Sequence, residues 1–478
     1  MPPLRTLLLV LLLVVPLAAR PETLNEFARR RSGPAKYCGI YVMGKKIGWL
    51  SRGMRVDHYK GQPVALVEEK LVLKTNRSGE KTEINKTETL YFELSGQGQI
   101  VAAEIRELRP GGESLLKAER RGGKLLIKET AAGLAQERQV ELPHESLRLL
   151  QNEEAWLKTA RPGAVFQNYS LSWEREPLES TGRITFKRRG QGPPTPTYLV
   201  SMEEQGMRME GELTSDSRPI QLKVGGGMEF RSEPALVAKR LDGAGNLDVS
   251  LMIPVMTNLG EARQVGRLVL EATGCEDFKF PLSGRQRVRR EGKRTVLTLL
   301  QDGLDSTPLN PKQQKEYLSA TPSIQIGPEI RERARSIVGK ETSALGKARK
   351  LATWTHVTLK KSYEKNAATT HEILVNMAGD CTEHTLLFVS LARACDVPAR
   401  IVGGLAYASL GPDNSKTAFA WHAWAEFHDG RGWVAVDPTW GEVPADATHI
   451  KMQTSDDDLQ WINLLGKLKL TVLDFGKQ

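Results

Sequence analysis

The chain has 478 residues, more than one hydrophobic core usually organises, so two or three domains are expected. Its 40% hydrophobic and 26% charged residues are ordinary for a globular protein that buries a sizeable core. The formal charge of +10 suits attraction to an anionic cell-envelope polymer or an acidic substrate, and nucleic acid is set aside as a partner because no recognised binding module accompanies the charge.

Residues 1–19 carry Arg5 and then an apolar run that is broken by Pro16 and ends in Ala18 and Ala19. This is the pattern of a secretory signal peptide cut near Ala19 or Arg20, and the run falls short of the roughly 20 residues a spanning helix needs. The protein is therefore expected in the periplasm, the cell envelope or the medium, with an N-terminal membrane anchor as the alternative if the leader is uncleaved. No cysteine lies near the cleavage point, which argues against a lipidated N-terminus.

Residues 20–305 read as β-rich, forming one domain or two with a break near 160. Hairpins are predicted at 37–49, turning at Gly44-Lys45-Lys46, and at 115–128, turning at Arg121-Gly122-Gly123-Lys124. Strands follow at 197–202, 207–213, 220–224 and 268–272, and one helix interrupts them at 145–158. Arg161-Pro162-Gly163 and the stretch 190–196 read as turns or linkers. The basic run from Arg285 to Arg294 contains Gly292, so it reads as a solvated hairpin edge on which positive charge deters edge pairing. Scaffolding, substrate positioning or envelope binding is the expected role of this half, which carries no nucleophile or metal constellation.

A junction rich in proline and polar residues, 306–328, precedes helices predicted at 329–338 and 342–361. A third helix is predicted from Cys381 to Cys395, with Leu387, Phe388, Leu391 and Ala394 at helical spacing and Asp396-Val397-Pro398 as its stop. Cys381 would then sit in the first turn, where the helix dipole favours thiolate and unpaired N–H groups suit an oxyanion. Cys381 and Cys395 would be about 21 Å apart on one helix, beyond disulfide reach, whereas Cys38 and Cys275 either pair or are separately buried. His428-Asp429-Gly430-Arg431 has the Asp-Gly pair of a two-residue hairpin. With His428 facing Arg431, stepping outward sets Glu426 opposite Trp433 and His422 opposite Asp437, which puts imidazole and carboxylate side by side on one sheet face. Taken singly, a helix cysteine is often a buried hydrophobe and Asp-Pro often starts a turn. Together the three supply a nucleophile, a base and an orienting carboxylate for thiol chemistry on acyl groups. A metal site is not expected: there is no Cys-x-x-Cys pair, and His371-Glu372 lacks a second histidine.

From about Thr321 to Met452 the chain resembles the transglutaminase-like superfamily, which is related to papain-like cysteine peptidases. The resemblance rests on Gly379-Asp380-Cys381-Thr382-Glu383-His384-Thr385, on Leu391-Ala392-Arg393-Ala394, on Val397-Pro398-Ala399-Arg400, on His422-Ala423-Trp424 and on Val436-Asp437-Pro438-Thr439-Trp440-Gly441. Ala445-Asp446-Ala447-Thr448-His449-Ile450 looks like bacterial members of the group. The resemblance implies an α+β core at 321–453, with the nucleophile helix packed on an antiparallel sheet; beyond it, 454–478 reads as an extension in which 462–475 adds a strand or two. It also implies Cys381 as nucleophile, His422 as base and Asp437 as orienter, with no cofactor. The expected activity is cleavage of a peptide or glutaminyl amide in a peptide or protein substrate, with transfer to an amine, or a non-catalytic binding role, as alternatives.

Overall fold

The structure is a computed structural model and describes residues 20–477 apart from 78–79, 111, 132, 174–175, 191–195, 242–251, 304–305, 364–366, 368, 411–415 and 454–458. The leader at 1–19 and most of the 190–196 turn lie outside the described residues.

The N-terminal half is built on one antiparallel sheet of 14 strands. Eight of them, from Lys36–Val42 to Leu134–Glu141, meander in chain order, and so do six more from Val165–Leu171 to Met228–Glu233. The two runs join where Lys36–Val42 pairs with Met228–Glu233, from Tyr37 opposite Glu233 to Val42 opposite Met228. The hairpin predicted at 37–49 forms, although its loop is Met43-Gly44 rather than 44–46. Both loop residues have positive φ, 50° and 77°, the twist that lets a two-residue loop join two antiparallel strands. Leu134–Glu141, one edge of the sheet, is mostly exposed and carries Glu137, Arg138 and Glu141, charges that blunt an edge.

Two helices cover this sheet. Leu24–Arg31 starts at a Thr23 capping box and buries Leu24, Phe27 and Ala28. Leu147–Thr159, the helix predicted at 145–158, starts at Ser146. It buries Leu147 with the first run of strands and Leu157 with the second.

Residues beyond 250 form two further sheets. Gln286–Glu291, Arg294–Leu300, Val265–Thr273 and Lys469–Lys477 make one, in that order. The basic run is thus a hairpin with Gln286–Glu291 on the sheet edge, although Arg285 itself turns inward and donates to the Ala445 and Asp446 carbonyls. The other sheet runs Ile253–Val255, Lys416–His428, Ala399–Leu410 and His449–Gln453, with Trp433–Val436 on Lys416–His428. Leu268, Leu270 and Leu297 share a buried cluster with Leu405, Tyr407, Phe419 and Ile450, so the two sheets have one core. Helices Pro328–Val338, Ala344–Thr358 and Cys381–Ala394 pack together on the far side of the second sheet through Ala334, Leu351, Leu387, Leu391 and Phe427. The chain is therefore α+β, with a β-rich N-terminal half and a C-terminal half richer in helix.

Cys381–Ala394 is buried on every side from Glu383 onward, polar residues included. The apolar stripe read from the sequence is real, but the opposite face is covered as well. Two of its polar side chains are satisfied from neighbouring segments: Ser390 bonds Thr370 and the Leu386 carbonyl, and Arg393 donates to the Ala399 and Ser319 carbonyls.

Candidate active site

Cys381 is the first residue of its helix. Asp380 is the N-cap and accepts from the Thr382 N–H at 2.8 Å, while Glu383 Oε2 accepts from the Asp380 N–H at 2.7 Å. This capping box pins the turn that carries the thiol. Burial, with Asp380 beside it, pushes the Glu383 carboxyl up to about 8. His384 Nδ1 donates to the Asp380 carbonyl at 2.7 Å, and burial lowers its pKa.

His422 lies on Lys416–His428, and Asp437 directly follows Trp433–Val436. Their register corrects the sequence reading. Asp429 to Gly432 form a four-residue loop rather than a two-residue one, so Trp433 pairs with His428 and Val436 with Ala425. Asp429 explains the longer loop, because its Oδ1 accepts from the Arg431 and Gly432 N–H groups at 2.8 and 2.9 Å. The shift is two residues, and side chains alternate with a period of two, so the face is preserved. His422 Nε2 meets Asp437 Oδ2 at 2.7 Å, with side chains 8% and 0% exposed. Asp437 Oδ1 accepts from the Thr439 and Trp440 N–H groups at 2.7 and 3.3 Å. Asp-Pro does start a turn here, and one carboxylate serves both turn and histidine.

Burial alone would make His422 less basic, but the Asp437 carboxylate and the Cys381 sulfur outweigh it and push the imidazole up to about 9. Burial would raise Asp437, and His422 and His449 instead hold it well below the ordinary carboxylate range. With Nε2 committed to Asp437, Nδ1 is the nitrogen left for the thiol. Trp440 stacks on the His422 ring at 4.4 Å between centroids and 19° between planes, limiting its rotation.

Cys381 and His422 line one cleft of about 230 Å³ with Gly404, Trp421, Gln453 and Trp461. Gly404 pairs with His422, and a Cβ there would come within 2.0 Å of the Ile450 carbonyl and 2.8 Å of the Trp424 ring, so only glycine fits the strand at this point. The structure thus brings all three predicted residues, Cys381, His422 and Asp437, to one place. Sequence reasoning gave no role to His449 or Gly404. The Asp446-Ala447-Thr448-His449 segment was visible as a motif, but His449 arrives on a strand paired with Ala399–Leu410, with no local signal linking it to Asp437.

The remaining sequence candidates stay apart. All four cysteines are free, and Cys38 and Cys275 are not bridged. His371 contacts Glu329, while Glu372 caps its own helix at Thr369. Among the described residues, two groups bring metal-type donor atoms within 4.8 Å of one another: His422, Asp437 and His449, and Glu442, Asp446 and His449. In the first, the donors bond one another. In the second, Arg263 Nη1 stands 2.7 Å from Asp446 Oδ2 and supplies the positive charge.

An uncharacterised protein of Haemophilus influenzae is 34% identical over 148 residues, 26% of this chain and 39% of that protein, so the chain spans about two fifths of that relative. The periplasmic domain of TgpA from Pseudomonas aeruginosa, solved alone and bound to ethylmercury, superposes with a TM-score of 0.26 in both forms. Identity is 14% and 13%, over 61% of this chain and 92% and 94% of those chains. Superposition at that level assigns nothing by itself. The sequence of 331–438, the stretch that carries Cys381, His422 and Asp437, matches the family described as Transglutaminase-like superfamily.

Proposed function

We propose that the protein is an exported thiol enzyme that cleaves peptide or side-chain amides, with its catalytic core at 321–453. Cys381 attacks the acyl carbon, His422 takes the thiol proton and returns it to the leaving amine, and Asp437 orients His422. The observation that carries this reading is the 2.7 Å contact of His422 Nε2 with a buried Asp437, in a cleft that also holds a thiol at a helix N-terminus. An imidazole raised to about 9 suits a resting imidazolium paired with thiolate. The attack forms a carbon–sulfur bond and a tetrahedral oxyanion, for which the N–H groups of the helix's first turn are the nearest fixed donors. Collapse expels the amine with the His422 proton, and water activated by His422 then releases the acid and restores the thiol.

Water is the favoured acceptor because the cleft opens to solvent, which leaves a thioester within reach of water. The substrate is a peptide or protein, and the basic surface is a candidate contact for an anionic envelope polymer. The test is mass spectrometry of a glutamine-containing peptide incubated with the protein and a titrated primary amine. Free acid should predominate over conjugate. A predominantly conjugated product at low millimolar amine would instead make the protein a crosslinking transferase, and an unmodified peptide library would leave a binding role.

A further inference from the structure

A second imidazole stands behind this cluster. His449 has 1% of its side chain exposed, and its Nε2 lies 3.0 Å from Asp437 Oδ2, the oxygen that His422 reaches at 2.7 Å. With Thr439 and Trp440 on Oδ1, four N–H donors converge on one buried carboxylate. On its other side His449 Nδ1 is 3.2 Å from the Asp446 carbonyl and 3.4 Å from Asp446 Oδ1. Asp446 in turn pairs with Arg263, whose guanidinium lies 3.8 Å over the Trp440 ring. Trp440 also stacks on His422, so the network closes on itself.

The protonation state follows from the partners. Both nitrogens of His449 face groups that only accept, so each needs a proton and the ring is an imidazolium. Burial opposes that charge, but Asp446 and Asp437 outweigh it and push the ring up to about 9. The other charged groups around His449 are already engaged. Glu442 lies beside Asp446 and Arg263. Across a small enclosed space lie Arg285, Glu426 and Lys451. Lys451 and Arg400 neutralise Glu426, and Arg285 is held by two carbonyls. None of these replaces His449 on Asp437.

We propose that His449 is a positioning residue for the Cys381 reaction: it holds Asp437 in line with His422 and, as a cation, takes a share of the carboxylate's charge that would otherwise act on His422 alone. This rests on the reading of Cys381 and His422 as the reacting pair. Losing the donor would let the carboxylate rotate, whereas losing only the charge would leave the geometry and make His422 more basic.

The test is the rate of iodoacetamide alkylation of each cysteine in the full chain, mapped by mass spectrometry from about pH 4 to 10, with circular dichroism as the folding check. His449→Gln keeps an N–H for Asp437 but no charge. Its rate at neutral pH should stay within about threefold of wild type, while the alkaline step, where His422 loses its proton, moves up by about half a pH unit or more. His449→Ala should slow Cys381 by about tenfold at neutral pH. Asp446→Asn removes the charge that holds His449 protonated and should move the step in the same direction as His449→Gln, deciding the matter if that variant does not fold. Wild-type profiles in all three, or equal slowing in all three with no movement of the step, would overturn the proposal. A wild-type Cys381 alkylated no faster than Cys38 at any pH would overturn instead the thiol-enzyme reading on which it rests.

Discussion

At the scale of single residues the site is a buried carboxylate shared by two imidazoles, and this has consequences for activity and for stability. Cys381→Ala should abolish amidase or transferase turnover, because covalent chemistry ends with the sulfur. Asp437→Ala should retain more activity than Cys381→Ala, since a misplaced base is still present; initial rates on one peptide substrate decide between them, and wild-type-like turnover by Cys381→Ala would sink the mechanism. The depressed pKa of Asp437 means that its contribution to stability is in place above the ordinary carboxylate value of about 3.9 and is lost as pH falls further. His422 and His449, raised to about 9, contribute fully below about 6.5 and lose that contribution as pH rises through 9. The network is therefore most stabilising between about pH 4 and 6.5. The thermal midpoint should fall as pH rises from 6.5 to 9, less steeply in His449→Gln. A slope unchanged by that substitution would show that His449 does not titrate with folding.

At the scale of elements, the site depends on a turn, a strand and a cap. Asp429→Ala removes the two hydrogen bonds that its carboxylate accepts from backbone N–H groups in the loop that sets the Trp433–Val436 register, along with its contact to the Arg431 guanidinium, and should cost about 1 kcal/mol in urea denaturation. Gly404→Ala puts a methyl group against the Ile450 carbonyl and the Trp424 ring. Because the clash is with backbone, it should cost about 1–3 kcal/mol and lower activity as well. Equal stability of Gly404→Ala and wild type would show that the strands yield at that point. The hairpin also shows what local signals carry. The Asp-Gly pair located the turn correctly, but loop length was decided by the Asp429 side chain bonding two successive N–H groups, a choice that the dipeptide does not announce.

At the scale of the molecule, 331–438 does not contain all of the core that supports it. Leu405, Tyr407, Phe419 and Ile450 are buried against Leu268, Leu270 and Leu297, and Lys469–Lys477 returns to pair with Val265–Thr273. A fragment limited to 321–453 would expose that surface, and it should aggregate or unfold without cooperativity, whereas 253–478 should unfold in one transition; calorimetry of the two fragments is the check. The large sheet meets the helical side through Thr82 Oγ1 to the Tyr363 carbonyl and through Arg109 to Glu372. It also meets the segment 459–463, where the Leu459 N–H donates to the Gln205 carbonyl and Asn463 Oδ1 accepts from the Arg208 N–H at 2.9 Å.

The sequence by itself determined the elements whose signals lie within about fifteen residues. These were the helix beginning at Cys381, its stop at Asp396-Val397-Pro398, the helices predicted at 329–338 and 342–361, which run over Pro328–Val338 and Ala344–Thr358, the hairpins at 37 and 115, and the order of thiol, imidazole and carboxylate. It also placed His422 and Asp437 on one face, since a slip of two residues leaves side-chain parity intact. Only the tertiary structure decided which distant segments pair: Lys36–Val42 with Met228–Glu233, Lys469–Lys477 with Val265–Thr273, and the strand that carries His449 to Asp437. Periodicity and turn chemistry report the conformation of a segment, whereas strand partners far apart in the chain are selected by burial of complementary faces, and that selection leaves no mark in either segment alone.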